Sequence, residues 1–387
     1  MITTNKYREA LSGKIKNACI NLCSNSIWAF AKIYLPKLFP LPPSIMHKEV
    51  SGLLVGCSSN RNKRIVIAEP YQYQLSRLTC LAHILWAICY NKESFIAVVS
   101  LEQEVSKDLL RTIKLELTNN KKIKQDFPHA FGRNYARWNH NEIITRNNIK
   151  LVTAELTLPK GKCPESDYFG YKYEKPSLII FDDLTYNEKF EHNPYTHQKS
   201  TRYFLLVEDE IAERKMKIYD DLMDIITIHS DSNTNVLITG SMTDCCSAIA
   251  TIIEEPKEGN WIYKSYPAVL KYAENQDLWY QWLKILADQL EYCNRTGLAA
   301  ANYFYQDHKQ EMLKGAQVLW HEFEDYYSLM EYRYFGGKKA EEDFDCRKQN
   351  CSYDQYILKH EADPFGHIFQ TYLIHTLKGN KISRRKL

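Results

Sequence analysis

The sequence predicts an α/β fold, a mostly parallel sheet with helices on both faces. Three observations predict it. Short apolar, β-branched runs recur, among them Ile65-Val66-Ile67-Ala68, Phe95-Ile96-Ala97-Val98-Val99 and Leu178-Ile179-Ile180-Phe181, the pattern of strands buried on both faces. Segments with helical spacing alternate with these runs. The run ending at Phe181 stops abruptly in Asp182-Asp183, and open α/β sheets place ligands at such carboxyl ends.

Composition sets bounds on function. The chain has 387 residues, 44% of them hydrophobic and 25% charged, with a formal net charge of +3. That is the make-up of a soluble globular protein of one large domain with appendages, or of two domains. The charge neither demands nor excludes nucleic acid. The longest apolar stretch, Leu78 to Tyr90, contains Thr79 and His83 and is too short to span a bilayer. The N-terminus lacks the apolar centre of a signal peptide, so a cytoplasmic location with no membrane contact is expected. The eleven cysteines are scattered without a CxxC pair and read as reduced and structural.

In chain order, Ile27 to Leu35 is an apolar helix stopped by Pro36, and Pro40, Pro42 and Pro43 keep the following stretch extended. Arg64–Ala68 is a strand, 69–74 a loop, and Ser76 opens a helix to about Cys89. Phe95–Ser100 is a second strand, followed by an amphipathic helix from Val105 to Leu117. The polar stretch 119–148 reads as loop-rich. Within it, Lys121, Lys122 and Lys124 are read as a solvated loop, with DNA contact as the alternative. Lys150–Ala154 alternates as a strand and 159–173 is a loop. Phe204, Val207, Ile211, Ile218, Leu222 and Ile225 mark the core face of a long helix. Asn235–Ser241 and Trp261–Lys264 are further strands, and beyond about residue 270 the pattern is helical and charged.

The Asp182-Asp183 pair has two readings. One is a Walker B element, the first acid for Mg²⁺ and the second to polarise water; the other is a solvated turn after a strand. The neighbouring segments bear on the choice. "FAKIYLPKLFPLPPSIMHKEV", "IVIAEPYQYQLSRLTCLAHILWAIC", "KPSLIIFDDL", "NVLITGSMTD" and "WIYKSYPAVL" occur in the order found in the large terminase subunit, the DNA-packaging motor of phages. Together they resemble its ATPase part, from about residue 30 to about residue 350. The resemblance implies a P-loop NTPase-like (ASCE/RecA-type) sheet with helical N- and C-terminal appendages. It divides the chain into an opening segment 1–50, an ATPase domain 51–270, a helical linker 271–350 and a basic tail 351–387. It further implies ATP and Mg²⁺ as cofactors, with double-stranded DNA, a portal and a small terminase subunit as partners, and a homo-oligomeric ring as a possible assembly. Carried over by position, Pro70, Gln74, Leu75, Ser76 and Arg77 form the nucleotide loop. Ser76 and Asp182 hold Mg²⁺, Asp183 is catalytic, and Thr239-Gly240-Ser241 couples nucleotide state to motion.

The sequence departs from that pattern where chemistry matters most. A phosphate loop needs glycines, so that backbone N–H groups can close on phosphates, and a Lys for the β/γ oxygens. Here Tyr71 replaces the expected Arg, Gln72 and Gln74 the small residues, and Leu75 the Lys. Phe169-Gly170 stands where the family carries Arg-Gly, and the residues left after 350 lack a nuclease acid set. Arg77 is either an exposed Arg or a replacement cation. Two functions are therefore expected from this resemblance: a catalytically impaired terminase-like protein of phage or prophage origin, or an active Mg-ATPase motor subunit with an atypical loop.

Overall fold

A computed structural model describes residues 14–70, 73–101, 103–156, 168–171, 174–182, 208–241, 248–254, 257, 259–290 and 296–335. The chain divides into two compact units, Met1–Ser265 and Tyr266–Leu387.

The first unit is built on an eight-stranded sheet: β1 Arg64–Glu69, β2 Phe95–Ser100, β3 Arg133–Trp138, β4 Glu142–Thr145, β5 Lys150–Glu155, β6 Leu178–Asp182, β7 Asn235–Ser241 and β8 Trp261–Ser265. Their order is β3-β4-β5-β2-β6-β7-β1-β8. From β5 to β8 every pairing is parallel, whereas β3, β4 and β5 pair antiparallel. The interior strands are the apolar runs of the sequence, and all six residues of β2 are buried. The expected mostly parallel α/β sheet is therefore observed.

Side-chain alternation divides the strands between two faces. Val66, Ala68, Val99, Phe181 and Ile238 form one core with Leu222, Ile225 and Ile226 of α7 (Glu208–His229) and with Ile249 and Ile252 of α8 (Ala248–Glu254). Of the stripe expected from the sequence, Ile218, Leu222 and Ile225 pack here; Phe204, Val207 and the Ile211 side chain lie outside what the structure describes. On the other face α5 (Gln103–Asn119) packs on β2 and β5, burying Ser106, Leu110, Ile113 and Leu117 at helical spacing. Beside it, a π-helical turn, Arg77–Ala82, runs into α4 (His83–Cys89). Every residue of α4 is buried, because α2 (Ile27–Tyr34) covers it from outside. The helix over 14–24, here α1, is tied on by Trp86 Nε1, which donates to Cys23 O at 2.8 Å, and by the Tyr90 hydroxyl, which donates to Ile20 O at 2.7 Å. After the proline-rich stretch, α3 (Ile45–Ser59) starts at Ser44.

The stretch 119–148 corrects the loop-rich expectation. It contains α6 (Lys121–Asp126) and the β3–β4 hairpin. Asn120 caps α6, its Oδ1 accepting from Lys122 N and Ile123 N. Asn139 Oδ1 accepts from Asn141 N at 3.0 Å and Glu142 N at 2.8 Å, an Asx turn that closes the hairpin.

The second unit is helical, as expected, with a small antiparallel ribbon of β9 (Val269–Lys271) and β10 (Gln317–Val318). Helices α9 (Gln276–Leu290) and α10 (Thr296–Leu313) pack together. Trp279 is fixed between them, its indole N–H donating to Met312 O at 2.8 Å, and it packs edge-on against Tyr326 of α11 (Tyr326–Phe335). Among the described residues no helix is long and apolar enough to cross a membrane. The basic tail 351–387 lies outside the described residues.

Candidate functional site

The strand tips bring several polar side chains onto one face of the sheet. Ser100 of β2 is in register with Asp182 of β6, and Ile67 and Glu69 of β1 with Thr239 and Ser241 of β7. Alternation puts Glu69, Ser100, Asp182 and Thr239 on the face opposite the α7–α8 core. All four are buried, Asp182 to 4% exposure and Glu69 to 8%. The Thr239 hydroxyl donates to Phe181 O at 3.3 Å, so the β7 tip is fastened to β6 one residue before Asp182. Asp183 lies outside the described residues, as do Tyr71 and Gln72.

The loop between β1 and the helix is formed by backbone and core contacts. Tyr73 N donates to Pro70 O at 3.3 Å, and Pro70 itself is buried. Gln74 sits at φ +64°, in the left-handed region that the expected glycine would occupy without strain. Leu75 is fully buried, as is Tyr73 to 1%. The helix then starts, with Leu78 N donating to Gln74 O. Ser76 is half-buried and makes no side-chain cap bond, and Arg77 points to solvent. Thus the loop, Ser76 and the Asp182 tip share one edge and one face of the sheet, with β7 between β1 and β6.

Two contacts define what this loop accepts. Glu69 Oε2 accepts from Leu75 N at 3.0 Å. A helix N-terminus presents unpaired N–H groups and a positive dipole end, the usual seat of a phosphate, and here the chain's own carboxylate takes it. From the other side, Ser44 N donates to His47 Nδ1 at 3.1 Å, which leaves the proton on Nε2 to donate to Tyr73 O at 3.1 Å. The second contact holds the loop to the start of α3. His47 is fully buried, and desolvation lowers its pKa to about 4, so the neutral tautomer is the one present.

The position of the expected second cation is also filled by apolar structure. Phe169 is 7% exposed and lies in the α7–α8 core, edge-on to Phe95 with ring centroids at 6.4 Å. Gly170 holds φ +77°, a left-handed conformation that glycine adopts without strain.

ATP with Mg²⁺ does not fit these residues as they stand. Leu75 offers neither charge nor donor, a carboxylate faces the amide that a phosphate would need, and Gln74 strains the turn. Glu69 and Tyr73 hold the loop through these contacts, and sequence reasoning did not single them out; the one available signal was an acid at the end of β1, immediately before Pro70.

Gln74→Gly is expected to stabilise the protein by up to about 1 kcal/mol, by releasing a left-handed non-glycine residue. Chemical denaturation measures this. A loss of stability would show that the Gln74 side chain holds the loop through its contacts.

Compared with known proteins, the chain matches no family model and no curated sequence.

Proposed function

We propose that this chain is a non-catalytic, terminase-like scaffold: a P-loop ATPase-type sheet of phage or prophage origin whose phosphate loop is closed by its own acid. The carrying observation is the Glu69 carboxylate on Leu75 N, 3.0 Å away. Loss of each charge-assisted bond to a triphosphate forfeits roughly 1.5–3 kcal/mol. Without the Lys at 75 and the Arg at 71, affinity falls by two or more decades, about 1.4 kcal/mol each. The Glu69 carboxylate adds repulsion to that loss.

Support for the ancestral architecture comes from strand order. The loop-bearing β1 and the acid-tipped β6 are separated by the additional strand β7, with β2 beyond β6. This is the arrangement expected of additional-strand P-loop ATPases. DNA, portal and small-subunit partners follow from the resemblance alone.

Calorimetric titration of the full chain with ATP, with and without Mg²⁺, tests the reading. No binding is expected up to about 1 mM nucleotide. Micromolar affinity that depends on Mg²⁺ would overturn it. The second reading, an active motor with an atypical loop, would then stand, since buried Asp182 and the uncapped Ser76 hydroxyl are the groups such a motor would use.

A further inference from the structure

The antiparallel end of the sheet holds an open hollow of about 480 Å³. Glu142 of β4 and Val152 of β5 are cross-strand partners and so point to one side of the sheet, the side on which Val152 and Phe169 join the α7–α8 core. Tyr168 and Phe169 line the hollow as an apolar wall, and Asn139, Asn141 and Glu142 line it with polar groups. Small-molecule sites usually enclose about 300–1,000 Å³ and combine an aromatic wall with a few fixed polar groups, and this hollow has both properties. Its lining shares no residue with the phosphate loop or the strand tips at Glu69 and Asp182.

The polar groups are set in place by the fold. Glu142 Oε1 and Oε2 accept from Arg137 Nη1 at 3.0 and 3.1 Å, and Oε1 accepts from the Tyr171 hydroxyl as well. The Arg137 guanidinium in turn lies 5.2 Å from the Tyr171 ring. An ionised carboxylate accepts at about four sites, so Glu142 keeps capacity for a ligand. Asn139 Oδ1 is taken by Asn141 N and Glu142 N, which makes Nδ2 its remaining donor. Asn141 is pinned through its carbonyl, which accepts from Thr153 N at 2.8 Å and from the Thr153 hydroxyl at 3.2 Å. On the apolar wall, the Tyr168 hydroxyl donates to Glu155 O, and its ring packs on His229 of α7 with centroids at 5.6 Å. Groups held in this way lose little further freedom when a ligand arrives.

We propose that this hollow binds a neutral pyranose sugar, free or at the end of a glycan. Two adjacent hydroxyls of a sugar need an acceptor and a donor side by side. Glu142 supplies the acceptor and Asn139 Nδ2 the donor, and the two residues are joined by Glu142 N donating to Asn139 Oδ1 at 2.8 Å. The C–H face of a pyranose is apolar and slightly positive, which suits the negative face of an aromatic ring. An anion would meet the Glu142 carboxylate, so it fits poorly. A cation fits less well than a sugar, because Arg137 already meets the Glu142 charge. The hollow is open and covers one side of such a ligand, so dissociation constants of about 0.1–10 mM are expected.

The test uses the full chain and saturation-transfer NMR with glucose, galactose, mannose and N-acetylglucosamine, beside choline as a cation, each up to about 50 mM. Transfer to the ring protons of at least one sugar is expected, and a glycan array carrying that sugar separates a glycan end from the free sugar. Asn139→Asp keeps the acceptor of the turn and removes the donor, and Glu142→Gln keeps the size and removes the charged acceptor. Each should weaken sugar binding at least about tenfold. Glu104→Gln, on the exposed side of α5, should leave it unchanged. Thermal melting checks that the variants fold, and if one fails to fold the other decides. Three results would overturn the proposal: no transfer to any sugar, choline bound in preference to every sugar, or a folded Asn139→Asp or Glu142→Gln that binds sugar as tightly as the parent. The ATP titration reads the phosphate loop, which lies outside this hollow, so either reading can fail without the other.

Discussion

Glu69→Ala is expected to destabilise the protein by about 2 kcal/mol and to make its stability respond to phosphate. The carboxylate is 8% exposed and accepts from Leu75 N at 3.0 Å, at the first turn of the helix. Removing it leaves a buried donor without that partner, a loss of about 1–3 kcal/mol, and removes an anion from the positive end of the helix dipole. The same change vacates the seat of an anion. Inorganic phosphate should then take the place of the lost carboxylate on the vacated N–H and raise the melting temperature of the variant, because a ligand that binds only the folded state stabilises it. The parent protein should show no such rise. Glu69→Gln, which keeps an acceptor and loses the charge, should fall between the two. Differential scanning in phosphate against chloride of equal ionic strength measures all three. Equal phosphate responses in parent and Glu69→Ala would mean that the carboxylate does not occupy the phosphate's place.

What the sequence made legible follows from which forces are local. The strands β1, β2, β6 and β7 are short, β-branched apolar runs, the pattern of strands buried on both faces; their existence and parallel pairing were readable. Gln74 does sit at φ > 0, as the resemblance led one to expect at that position. Contacts across long stretches of chain were not readable. The hydrogen bond from His47 to Tyr73 joins residues 26 apart, and Phe169 reaches its core through Phe95 and His229. Neither has a signal in local spacing. Phe169 shows how this matters: the resemblance led one to expect a cation there, but the Phe169 side chain belongs to the α7–α8 face, away from Glu69 and Asp182.

The β3–β4 hairpin was missed for a different reason. Strand β4 alternates, but in β3 and the turn Arg133, Arg137 and His140 make the segment read as polar loop. The available clue was Asn139-His140-Asn141, an Asx-turn composition between Trp138 and the alternating Glu142–Thr145. Basic residues that look solvated in sequence are, in the fold, held on Trp138 and Phe131. Local polarity thus concealed a strand pair.

Stability is expected to fall as pH drops from about 6.5 to about 4, through two buried histidines. His47 and His83 both have pKa values lowered to about 4, chiefly by desolvation, against about 6.5 in an unfolded chain. Between those values the unfolded chain binds the protons and the folded chain does not. Their stabilisation is therefore complete above pH 6.5 and is lost as pH falls towards 4, by about 3 kcal/mol for each. Geometry gives the same sign for His47. Its Nδ1 accepts from Ser44 N and lies 2.8 Å from Ser44 Oγ, so a proton placed there faces a donor and breaks the cap of α3. His83 Nδ1 already donates to Thr79 O at 3.2 Å, inside the π-helical turn that follows the loop. Acid should thus loosen both ends of the segment from Tyr73 to His83. Burial raises the pKa of Glu93, which acts in the opposite direction, but Glu93 is common to parent and variant and cancels in the comparison. Urea denaturation at pH steps between 7.5 and 4.5 should show His47→Gln less stable at neutral pH and flatter in its pH dependence, by up to about 1.4 kcal/mol per pH unit. Parallel slopes for parent and variant would show that His47 gains its proton without loss of the fold, and that the link from Ser44 to the loop does not depend on its neutral form.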